Sequence, residues 1–83
     1  MFLKSSNDYI TTPVARINWI NIRFYEAEKK YEIIVNIKDT NVALGCYSTE
    51  ENAIAVKNMV DNFLEKGTGI FRLPNEEELI KIP

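Results

Sequence analysis

Apolar and polar residues alternate along the chain with a period that changes from two to 3.6. Residues 17–25 read Ile-Asn-Trp-Ile-Asn-Ile-Arg-Phe-Tyr. Successive side chains of a strand point to opposite sides, so Ile20, Ile22 and Phe24 share one face and Trp19, Asn21, Arg23 and Tyr25 the other. Residues 31–38 repeat the pattern, with Tyr31, Ile33, Val35 and Ile37 opposing Glu32, Ile34, Asn36 and Lys38. The short polar run 26–30 between them predicts a hairpin loop. A second turn is predicted at 38–41, because Asp39 and Asn41 can bond their own backbone and tolerate positive φ. Residues 42–47 then predict a third strand. The helical period takes over at 49–66, where Ala53, Val56, Val60, Phe63 and Leu64 fall on one face with Met59 beside them. Ser48 and Glu51 have the spacing of a capping box, with Ser48 as the N-cap. Glu50 and Glu51 suit the positive end of the helix dipole, and Gly67 offers a left-handed residue to end the helix.

Toward the ends the elements shorten. Phe2-Leu3-Lys4 and Tyr9-Ile10-Thr11 predict a hairpin that Pro13 stops, since proline has no ladder donor. Ile70-Phe71-Arg72-Leu73 predicts a short strand ended by Pro74. Residues 75–83 are expected as a helical turn capped by Asn75 or as a loose tail. The expected fold class is therefore α+β: an antiparallel β-meander of three to five strands, one amphipathic helix packed on one face, and a short C-terminal strand adding to the sheet. A partial barrel of the pleckstrin-homology kind is the architectural alternative. The 83 residues are expected to form a single domain, 1–83, with its core over 14–74. There Val56, Val60 and Phe63 should meet Ile20, Ile22, Phe24, Ile33, Val35 and Ile37.

Charge and composition narrow the chemistry. The chain has 12 acidic and 10 basic side chains and no histidine, a net charge of −2. That balance argues against holding nucleic acid mainly by phosphate neutralisation. The missing imidazole removes the usual proton shuttle near neutral pH. Cys46 has no second cysteine to pair with and is expected to be a buried, inert strand thiol. Ser5, Ser6 and Ser48 have no base beside them. No glycine-rich loop opens a helix, and Glu76-Glu77-Glu78 read as a solvated acidic stretch, since three adjacent carboxylates do not converge on a cation. No apolar run nears the ~20 residues of a membrane span, and the first residues lack a signal-peptide core. The expectation is a cytoplasmic, non-enzymatic protein with no catalytic residue, no cofactor, no metal and no membrane.

One helix covers only one face of a sheet. The other is expected to carry Trp19, Asn21, Arg23, Tyr25, Ile34, Asn36 and Tyr47. Tryptophan, tyrosine and arginine dominate binding hot spots, so these seven are the candidate partner-binding residues. A protein partner is expected there, with a homodimer through the sheet face or an edge strand as the structural alternative.

The run Leu44-Gly45-Cys46-Tyr47-Ser48-Thr49-Glu50-Glu51-Asn52-Ala53 resembles a passage of AP2-like and integrase arm-binding domains. That resemblance implies DNA binding by the sheet, although these strands carry few basic residues. Over its full length the chain resembles small proteins encoded by phages and prophages of Gram-positive bacteria. The matching residues are Ile17, Ile20, Ile22, Tyr31, Ile33, the same 44–53 run, and Gly69-Ile70-Phe71-Arg72-Leu73-Pro74. The resemblance implies a mobile-element accessory protein that binds a host or phage factor stoichiometrically, for example to inhibit a host defence system. It implies no catalytic residues. Nucleic-acid binding through the sheet face, and sequestration of a nucleotide signal by an oligomer, are the alternatives.

Overall fold

The computed structural model describes residues 1–80. In chain order the elements are β1 (Phe2–Lys4), β2 (Thr11–Pro13), a 3₁₀ turn (Val14–Arg16), β3 (Ile17–Tyr25), β4 (Lys30–Ile37), β5 (Thr40–Tyr47), α1 (Glu50–Lys66), β6 (Ile70–Arg72) and α2 (Glu76–Ile80). The fold is α+β. Strands β3, β4 and β5 form the antiparallel meander that the two-residue period predicts. The C-terminal strand exists, but it does not join the meander. It pairs in parallel with β1, whose other side holds β2, in a second three-stranded sheet.

Two bulges set which residues face inward. Ile33 pairs with Gly45 and Ile34 with Ala43, so Leu44 is an extra residue in β5. A bulge shifts the alternation of its strand by one. Leu44 and Tyr47, three residues apart, therefore both reach the core, and Cys46 turns outward. Unbroken alternation puts Tyr47 on the open face and Cys46 in the interior; the bulge exchanges them. The second irregularity lies between Ile17 and Trp19, and it lets Ile17 and Ile20 both pack inward.

The helix touches all three meander strands. Ala53, Val56 and Val60 of α1 are buried with Ile33 and Val35 of β4, Leu44 and Tyr47 of β5, and Leu3 and Leu73 from the second sheet and its exit. Ile20, Ile22, Ile37 and Phe63 pack at the margin of this cluster. The core thus extends beyond the expected 14–74, taking in Leu3 and, at its edge, Leu79. Phe24 is outside it: the residue is 49% exposed and its ring tilts onto Tyr31 at 4.9 Å.

The helix ends differ from the expected caps. Thr49 is the N-cap, its hydroxyl accepting from the Asn52 N–H at 3.1 Å. Ser48 instead donates its N–H and its hydroxyl to Glu76 Oε2, both at 2.8 Å. At the other end Gly67 is extended, with φ −87°, rather than left-handed. A Cβ there would strike the Phe63 ring, so glycine is required for room. Gly69, at φ +85°, makes the left-handed turn into β6. Asn75 caps α2, accepting from the Glu78 N–H at 3.0 Å.

The short elements are pinned by polar side chains. Arg72 donates to Glu78 at 2.7 and 2.9 Å and to the Ser6 carbonyl at 3.1 Å, which ties β6 to α2 and to the β1–β2 loop. Tyr47 lies back along β5 across Gly45, where any Cβ would meet its ring, and donates its hydroxyl to the Pro74 carbonyl at 2.6 Å. The 44–47 passage is thus a bulge, a gap and a ring that fills the gap.

Candidate functional site

The face of the meander turned away from α1 is built from four cross-strand rows. They are Trp19–Asn36–Asn41, Asn21–Ile34–Ala43, Arg23–Glu32–Cys46 and Tyr25–Lys30. Trp19 and Tyr25 are each 43% exposed, and Asn21 and Arg23 are exposed between them. An aromatic ring therefore stands at either end of β3 with a guanidinium between. Asn36 is half-buried and belongs to a chain of amides across the sheet. Asn18 donates to Asn36 Oδ1 at 2.9 Å, and Asn36 donates to Asn41 Oδ1 at 2.8 Å. The bulge aims Asn18 into this chain, so simple alternation does not reveal it.

Of the seven residues expected on this face, Trp19, Asn21, Arg23, Tyr25 and Asn36 line its surface. Ile34 is on the face but only 4% exposed, set between Asn21 and Ala43 as its floor. Tyr47 is 1% exposed and belongs to the core. Burial, the main cause, raises its hydroxyl well above the usual tyrosine range, with nearby Cys46, Glu76 and Glu78 adding to the effect.

The electrostatics of the face are nearly balanced. Arg23 holds Glu32 Oε1 through Nη2 at 2.8 Å and Nε at 3.3 Å. Cys46, in the same row, is exposed rather than buried. Its thiol is nevertheless raised, first by partial desolvation and then by the carboxylates of Glu32, Glu28 and Glu76, against Lys30. A thiol so placed holds little thiolate at neutral pH. Glu76 is bound at the start of α1, where hydrogen bonds from Asn52 and Ser48 hold its carboxyl below the ordinary range.

Beside the face, a cleft of about 310 Å³ opens between the start of β3 and α1. Val14, Ile17, Ile20 and Leu64 line it, with the Lys57–Asp61 ion pair at 2.8 Å on its rim. Among the described residues no group of three or more His, Cys, Asp or Glu could hold a metal ion. Nor is any buried side-chain nitrogen or oxygen without a partner there. No helix among them is long and apolar enough to cross a membrane. The chain matches no family model, no curated protein and no solved structure.

Proposed function

We propose that this is a non-enzymatic binding protein of the mobile-element kind. It acts in the cytoplasm by stoichiometric docking of a protein partner on the open face of the meander. The observation that carries the reading is the exposure of Trp19, Arg23 and Tyr25 on one sheet face, while the core closes without them. Large aromatic side chains held on a rigid sheet bury much area at low rotamer cost when a partner covers them. The Arg23–Glu32 pair between the rings adds direction through its charges.

The test is capture by tagged protein from cells in which the gene is expressed. Trp19→Ser with Tyr25→Ser should abolish capture of whatever the parent retains, with an unchanged circular dichroism spectrum. Equal capture by parent and variant removes this face as the docking surface. Nucleic acid is the competing ligand, because the same rings could stack on bases. Pairing of Arg23 with Glu32 and the net charge of −2 weigh against it. A mobility-shift titration at low salt should show no retardation at micromolar protein; retardation transfers the face to nucleic acid.

A further inference from the structure

The two outer edges of the meander are finished differently. On β5 the β1–β2 loop lies alongside, and the Ser6 N–H donates to the Leu44 carbonyl at 2.8 Å. On β3 no strand among the described residues pairs with the outer edge, although β3 is the longest strand at nine residues. Edges are normally blunted by proline, lysine or bulges. From Trp19 to Tyr25 this edge has no proline and no bulge, and its one charged side chain, Arg23, is paired with Glu32 across the sheet.

The geometry points to a second copy of this chain as the occupant of the β3 edge, paired antiparallel about a two-fold axis at Asn21. A symmetric dimer must be self-complementary, and this register is. On the open face it sets Trp19 opposite Arg23 of the partner subunit, twice, a cation–π pair that needs no new charge. On the helix side it sets Ile20 opposite Ile22 of the partner subunit, twice, as a β-branched cross-strand contact. It also brings Phe24 of the partner subunit opposite Asn18, at the mouth of the cleft lined by Val14, Ile17, Ile20 and Leu64. The half-exposed Phe24 ring and the open apolar cleft lie toward opposite ends of one strand, so each copy supplies what the other lacks. The two meanders become one six-stranded sheet, with both open faces continuous across the axis.

The register fixes the test. Residues directly opposite in an antiparallel pair have Cα atoms about 4.5–5.5 Å apart, within disulfide reach. With the exposed Cys46 replaced by serine, Asn21→Cys should oxidise to a covalent dimer. Arg23→Cys should not, because its mate is displaced by four residues along the strand. The parent should sediment at hundred-micromolar concentration with twice the chain mass of 9.6 kDa. Its Trp19 emission should shift to the red on dilution as the dimer dissociates. A parent that stays monomeric at that concentration overturns the inference and leaves the edge to a foreign strand. So does a dimer in which the Arg23→Cys variant cross-links as readily as the Asn21→Cys variant, or in which neither cross-links.

Discussion

Ile33 and Ile34 are neighbours on β4 and are hidden from water almost equally, at 0% and 4% exposure, but by different means. Ile33 faces a second layer, where Val56 and Val60 of the helix and Leu3 and Leu73 from the ends of the chain close over it. Ile34 faces the open side, screened from either flank by Asn21 and Ala43 of the adjoining strands. One side of the meander is a core between layers. The other is a floor within one layer, framed by exposed rings. Low accessibility alone does not mark a core residue, and the two sides should respond differently to the same substitution.

The largest difference is expected at those two positions. Ile33→Ala empties a site packed from both layers and should cost about 3–5 kcal/mol in denaturant unfolding. Ile34→Ala opens a hollow that water can enter and should cost about 2 kcal/mol, the low end for a buried isoleucine. Equal losses would mean that the open side is packed like the closed one.

Tyr47→Phe comes next. It keeps the ring but leaves the Pro74 carbonyl without its donor, at about 1–2 kcal/mol. The folded protein holds this hydroxyl protonated above its ordinary range. Its contribution is complete below the unfolded tyrosine pKa near 10 and is lost progressively as pH rises beyond it. The parent should therefore lose stability above about pH 10 more steeply than the phenylalanine variant.

Glu76→Gln removes the charged acceptor shared by Ser48 and Asn52 and should cost about 1 kcal/mol. The folded carboxyl is held below its usual range. Its contribution is thus present above the unfolded value and is lost as pH falls through the folded one. The variant should approach the parent in acid. A gap that widens in acid would mean that this network does not act as described.

The smallest effect belongs to the open face. Arg23→Ala breaks a solvent-facing pair and should change stability by no more than about 0.5 kcal/mol.

The distinction between the two sides is legible in the sequence as far as simple alternation holds. Strands β3 and β4, the turns between strands, and the α1 stripe of Ala53, Val56 and Val60 follow from periods of two and 3.6. Alternation misplaces Tyr47 and Cys46 because one inserted residue, Leu44, reverses the phase of β5. A bulge of this kind has no local signature beyond Gly45, whose role is to make room for a ring two residues away. The roles of Leu3 and Leu73 are hidden for a different reason. Strands of three residues carry too little pattern to show a face, and their parallel pairing joins residues about 68 apart in the chain. Thr49 replaces Ser48 as the cap because Glu76, distant in sequence, claims both Ser48 donors.

Trp19 is the only tryptophan, so the fluorescence comes from one position, at the end of the open face beside the cleft. In protein diluted to the monomer, acrylamide should quench native Trp19 strongly, and unfolding should add little to the quenching. A blue-shifted native emission that acrylamide reaches only after denaturation would place the indole inside the fold and contradict the division into a closed side and an open one.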